Sequence, residues 1–135
     1  MEHVGLNWAA VGVAALAKFV QGWLWFSPAL FYKPWKRLSG VADESMKHGM
    51  GTAIAIWALG ALVTSFILAH FIYWTHTTTA LRGVGIAFHA WLGFTLVFMM
   101  DDYAAEKRPF ALIAIKAGNQ LVGLLIMGAI LGVWQ

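Results

Sequence analysis

MGTAIAIWALGALVTSFILAHFIYW, running from Met50 to Trp74, contains no formally charged residue. A helix that crosses the hydrocarbon core of a bilayer needs roughly 20 mostly apolar residues, so this stretch alone predicts a transmembrane helix. Working outward, three more runs meet or approach that length. One covers about 6–26 and is interrupted only by Lys18. Another covers about 83–100 without Asp, Glu, Lys or Arg, and the last, about 109–134, carries only Lys116. A spanning β-barrel would show alternating segments of roughly 10 residues, and the pattern here is continuous instead. The expectation is an all-α membrane protein: one domain over 1–135, a four-transmembrane-helix bundle.

Composition points the same way. The chain is 61% hydrophobic and 11% charged, with a mean hydropathy of +0.72. Soluble domains run near 45–50% apolar and about 25% charged. Six acidic and nine basic residues cannot cover a water-soluble core. There is no cysteine, which excludes disulfides, iron–sulfur clusters and thiolate zinc sites. A net charge of +3, carried mostly by loops, does not suggest nucleic acid. The segment Met1-Glu2-His3 lacks a basic n-region, and the first apolar run continues into aromatics and Pro28. It is therefore expected to be a retained span, not a cleaved signal peptide.

Aromatic residues mark the ends. Trp23, Trp25 and Phe26 close the first run, Tyr73 and Trp74 the second, and Trp134 the fourth. An indole or phenol favours headgroup level because its ring is apolar and its N–H or O–H seeks a wet partner. That placement favours belt residues over simple packing. With four spans, both termini share a side with the turn 75–82, and the other side holds the loops 27–49 and 101–108. Lys33, Lys36, Arg37, Lys47, Lys107 and Arg108 lie in those loops, against Arg82 alone on the terminal side. The basic side is expected in the cytoplasm and both termini outside.

The first loop contains LFYKPWKRL, 30–38. Leu30, Phe31, Trp35 and Leu38 fall roughly on one helical face, with Lys33, Lys36 and Arg37 elsewhere. Such a segment can lie in the interface plane with its cations on anionic headgroups; an ordinary positive-inside loop is the alternative. Asp43 and Glu44 suit the first turn of a short helix ahead of the second span.

Polar groups at membrane depth are costly, so each needs a reason. In the last run Lys116, Asn119, Gln120 and Gly123 form one stripe. Asn7, Ala14, Lys18 and Gln21 form another in the first run, and Gly85, His89 and Gly93 share a face in the third. At 1.5 Å per residue, Lys116 lies roughly 10 Å and Lys18 roughly 12 Å from the cytoplasmic ends, with His89 about 18 Å in. These groups are candidates for one polar pocket. Three readings stay open: the lysines snorkel and pair with Asp101 or Asp102; an anion or acidic solute sits between them; or a lysine and His89 relay protons.

His89 by itself is most simply an interhelical hydrogen-bonding residue, and His3, His48, His70 and His76 are scattered. No histidine pair at i, i+4 and no Glu-x-x-His occurs, so no metal site or other cofactor is expected. A phosphate loop, a nucleophile elbow and a buried carboxylate pair are also missing. Small residues are plentiful: Gly85 with Gly93, Gly128-x-x-x-Gly132, the set Ala61, Ser65 and Ala69, and the set Gly5, Ala9 and Gly12 would permit close helix approach, within the chain or between copies.

Four pieces carry a family resemblance over nearly the whole length: Asn7-Trp8; WLWFSPALF from Trp23 to Phe31, followed by Trp35; Trp-Leu-Gly-Phe from Trp91 to Phe94; and LVGLLIMGAILGVW from Leu121 to Trp134. They resemble a bacterial membrane family known as domain of unknown function 1761. The resemblance implies four spans and a bacterial inner-membrane location, and it supplies no activity. The family pattern has Asn and Tyr where this chain has Lys116 and Asn119, and a neutral pair near Asp101 and Asp102, which favours the lysine and acids as partners.

The sequence thus leads to a non-enzymatic membrane protein that acts by assembly, as a homo-oligomer or an accessory subunit. The alternative is a small-solute or ion carrier with a polar path around Lys18, His89 and Lys116.

Overall fold

The computed structural model describes residues 5–135; the arguments from Met1-Glu2-His3 fall outside that range. Every regular element among the described residues is helical: α1 (Trp8–Trp25), α2 (Tyr32–Ser39), α3 (Asp43–Trp74), α4 (Ala80–Trp91), a π turn (Leu92–Leu96), α5 (Val97–Ala104) and α6 (Phe110–Val133). Local chemistry sets several ends. The Asn7 side chain accepts from the Ala10 N–H and caps α1, and Thr79 does the same for Arg82 at the start of α4, relieving orphan N–H groups. Pro34 falls in the first turn of α2, where a missing N–H costs nothing. Gly40, with φ +70°, ends that helix in the left-handed region that glycine enters freely.

α6 is the central element. α1 lies along one side of it and α4 along another, while α3 packs chiefly on α1. Neighbours run antiparallel: Gln21 meets Asn119 and Trp25 meets Ile115, while Gly83 lies against Gly128 and Thr79 against Gly132. The segment Gly5–Asn7, the segment Trp134–Gln135 and the Thr75–Thr79 turn gather on one side. There Gln135 donates to the Thr77 carbonyl, and a hollow of about 140 Å³ is lined by Asn7, Ile72 and Trp134. The core forms toward this side from Ala10, Val11 and Ala14 of α1, Leu68, Ala69 and Ile72 of α3, Ala87 of α4, and Leu124, Met127 and Leu131 of α6. Toward the other side Leu112, Ile113 and Ile115 of α6 stay buried, but the packing of two elements thins. α3 buries nothing before Ala61, and α5 buries nothing at all.

Among the described residues three segments are long and apolar enough to cross a membrane: Asp43–Trp74, Ala80–Ala104 and Phe110–Val133. α1, expected over about 6–26 as a fourth, is an 18-residue helix diluted by Lys18, Gln21 and three tryptophans, and is not one of them. The short helix expected at Asp43 and Glu44 is instead the first turn of α3 itself, since no proline or cap interrupts the chain before Met50. At 32 residues, α3 reaches about 48 Å and overruns a core of about 30 Å. The third run also extends further than 83–100, because the π turn lets the helix continue through Val97 with its hydrogen-bond register changed.

Candidate functional site

The α6 stripe divides between two surroundings. Asn119 and Gly123 face α1. The Gln21 Nε2 donates to Asn119 Oδ1 at 3.1 Å, and the oxygen of the same glutamine amide, Gln21 Oε1, is buried without a partner among the described residues. One turn along, a Cβ added to Gly123 would stand 3.0 Å from Gln21 Oε1 and 3.1 Å from Lys18 Cγ. The bare glycine is what lets the Lys18 stem lie across α6. At the other end of the seam, Trp25 Nε1 donates to the Ile115 carbonyl at 3.0 Å, and its ring covers Gly118. Trp25 is therefore not a belt residue turned to headgroups; its N–H finds a carbonyl inside the protein. Trp23, two residues earlier, does point outward.

Lys116 and Gln120 occupy the neighbouring face of α6 and are half-buried. Lys116 Nζ lies 3.6 Å from Asp102 Oδ2, with side-chain exposures of 39% and 35%. Asp101 stays exposed and forms no ion pair among the described residues. The pairing expected between Lys116 and one of the two aspartates is present. The level match with Lys18 is not: Lys18 sits beside Gly123, seven residues and about 10 Å along α6 from Lys116. Lys18 reaches no carboxylate among the described residues.

His89 does not join this group. It is exposed on the outer face of α4, with Nδ1 2.7 Å from the Gly85 carbonyl. Gly85 and Gly93 have open space where a Cβ would go, so the stripe expected to pack is the wrong face of α4. The packed face carries Gly83 and Ala87. A Cβ on Gly83 would collide with the Gly128 carbonyl, one on Gly128 with the Gly83 carbonyl, and one on Gly132 with the Thr79 carbonyl. Gly128-x-x-x-Gly132 is thus consumed inside the chain by α4. The α1–α3 contact behaves similarly. Ala61, Ser65 and Ala69 are buried as expected, and Ser65 Oγ donates to the Val11 carbonyl at 2.8 Å. On α1 they meet Ala10 and Ala14, whereas Ala9 and Gly12 are exposed.

A second tryptophan, Trp91, which the sequence marks only as part of the family resemblance, donates Nε1 to the Ala117 carbonyl at 2.9 Å. Two indoles thereby clamp α6 from opposite neighbours, two residues apart. Nothing in the sequence separates such a tryptophan from a belt tryptophan. In the basic segment, Phe31 packs on Trp25 with ring centroids 4.6 Å apart, and Trp35 meets Phe26 edge-on at 5.9 Å. Lys33 and Arg37 are exposed, and Lys36 is held by Asp43.

The arrangement orders helices and sets one cation, Lys18, and one ion pair, Lys116 with Asp102, against α6. Among the described residues no three His, Asp or Glu side chains gather to hold a metal ion. Neither the curated proteins nor the solved structures contain a match to the chain. A family model described as Protein of unknown function (DUF1761) matches residues 9–132, nearly the whole length, and the chain belongs to that family.

Proposed function

We propose that the chain is a four-crossing, non-enzymatic protein of the bacterial cytoplasmic membrane that works as part of an assembly, either a homo-oligomer or the accessory subunit of a larger complex. In this reading α1 is the fourth crossing. Its polar residues Lys18 and Gln21 turn to α6, and Leu16, Val20 and Leu24 are left for lipid. The side holding Lys33, Lys36, Arg37, Lys47, Lys107 and Arg108 is assigned to the cytoplasm by the excess of basic residues in short loops.

One observation carries the assembly. On the basic side α3 and α5 bury nothing, yet Lys116, Gln120 and Asp102 stand half-exposed between neighbouring elements. Lys116 is six residues past Phe110, about 9 Å into the span, and acyl chains are a poor environment for such groups. A second protein surface that fills the opening would cover them and give the bare faces of α3 and α5 a partner. The chain has no cysteine, so single-cysteine variants carrying a photo-crosslinker report one position each. Ile56→Cys and Phe98→Cys, both on the open side, are expected to give covalent protein adducts in native membranes, and Leu16→Cys none. A chain that yields no adduct at either open-side position and stays monomeric in native mass spectra from lipid overturns the reading.

A solute or ion carrier is the second reading, favoured by the unpartnered Gln21 Oε1 beside the Lys18 stem. Its path would use Lys18, Gln21, Lys116, Asn119 and Gln120. Proton and anion flux in proteoliposomes left unchanged by K18M/K116M would end it.

A further inference from the structure

On the outer flank of the α1–α6 contact runs an open apolar groove of about 600 Å³. Val13, Val20 and Leu24 of α1 form one wall, Val122 and Ile126 of α6 the other, and Leu30 stands at one end. Gln21 borders it, but its Nε2 is turned to Asn119 and its Oε1 is buried toward Gly123, so the floor stays apolar. From Val13 to Leu24 is eleven residues, about 16 Å of helix, close to the depth of one leaflet, half of a core of about 30 Å. A seat for a partner helix would run the full span, whereas this groove stops short of the first turns of α1.

The Leu30 end opens on the basic side. Phe31, packed against Trp25, pins the start of α2 at this mouth. Lys33 and Arg37 follow at i, i+4 spacing, on one face of α2. Both are exposed, and neither has a carboxylate partner among the described residues, while Lys36 between them is engaged by Asp43. A one-leaflet apolar slot therefore ends at two free cations.

We propose that the groove and the Lys33–Arg37 face form a single site for an anionic phospholipid of the basic-side leaflet, with an acyl chain along α1 and α6 and the phosphate on the two cations. The site rests on α1 crossing the bilayer. That premise is read separately: cysteines at Gly5 and Ser27 must label from opposite sides of sealed vesicles.

The binding test uses the full chain in nanodiscs of phosphatidylcholine with a minority of phosphatidylglycerol, followed by native mass spectrometry. Phosphatidylglycerol should be retained in preference to phosphatidylcholine. K33E/R37E should lower its retention roughly tenfold or more, two surface charges acting together, and Val122→Trp, which fills the slot, should displace it. Brominated chains should quench Trp25, seen as a loss of quenching in Trp25→Phe. Lys33 and Arg37 are exposed, so the charge variant decides the matter even if Val122→Trp does not fold. Equal retention of the two lipids, or retention indifferent to K33E/R37E, overturns the site. So does a dimer that Val122→Trp dissolves, which would put a second copy in the groove.

Discussion

Toward α4, α6 presents Gly128 and Gly132; toward α1 it presents Asn119, Gly123 and the Ile115 carbonyl. The first contact brings backbone onto backbone, with Gly83 set directly over the Gly128 peptide. The second keeps the helices apart by side chains and joins them with an amide pair and an indole. In lipid there is no hydrophobic drive between helices, so attraction comes from close packing and from hydrogen bonds. The glycine contact uses the first source and the α1 contact the second. An amide pair forms at only one axial offset, which gives the α1 contact a register that close packing alone specifies less sharply.

The largest effect is expected where backbone meets backbone. Gly83→Leu places four carbon atoms where the Gly128 carbonyl already is, and neither partner can rotate away. Overpacking usually costs about 1–3 kcal/mol; here the loss should exceed about 3 kcal/mol, read as failure to recover monodisperse protein in detergent. Gly85→Ala, two residues away on the open face, should be neutral or stabilising by about 0.5–1 kcal/mol, the usual gain in a helix interior. Equal stability of the two variants would mean that α4 turns a different face to α6.

The polar contact should break more gently. Asn119→Leu removes the acceptor of Gln21 Nε2 and leaves both ends of that amide unsatisfied. Gln21→Leu with Asn119→Leu removes the need. A double-mutant cycle by denaturant titration in micelles should give a coupling of about 0.5–1.5 kcal/mol, the range of interhelical hydrogen bonds in membranes. A coupling of zero would say that the two amides do not meet.

How far the sequence led can be judged from the same two contacts. The long uncharged stretch 50–74 and its counterparts announce helices because nothing else satisfies the backbone in oil. Lys116 with Asp102 was legible because a cation one and a half turns inside a helix has few acids within reach. The packed face of α4 was not. Gly83 and Ala87 compete with Gly85, His89 and Gly93, both sets are small, and only the partner helix chooses between them. The same holds for Trp25, whose amphipathic ring suits headgroups and a helix carbonyl equally well. The level of Lys18 was misjudged because depth was counted from each helix end, while antiparallel packing against Gly123 sets the real offset.

The ion pair on the open side gives a smaller effect again. Lys116 and Asp102 are each more than a third exposed, and the lysine stem carries its ammonium toward the wet basic end of the span, where water and headgroups screen the pair. Lys116→Met and Asp102→Asn should couple by no more than about 1 kcal/mol. A much larger value would mean that a partner covers the pair in the state measured, which ties the measurement to assembly.

Outside the bilayer, Lys36 clasps Asp43 and joins α2 to the first turn of α3. The hydrogen bond to Asp43 holds the Lys36 ammonium above its ordinary value of 10.5, helped by the attraction of the same carboxylate and opposed by slight desolvation. A raised lysine pKa stabilises the folded state fully below the unfolded value and ceases to do so as pH climbs through the folded one. The melting temperature of the native chain should thus exceed that of Asp43→Asn by a small, constant margin from neutral pH to about 10, closing above it. Both side chains are wet, so this margin is the smallest expected. A difference that widens as the solution becomes more alkaline would reverse the sign and show that the clasp is not formed by a charged lysine.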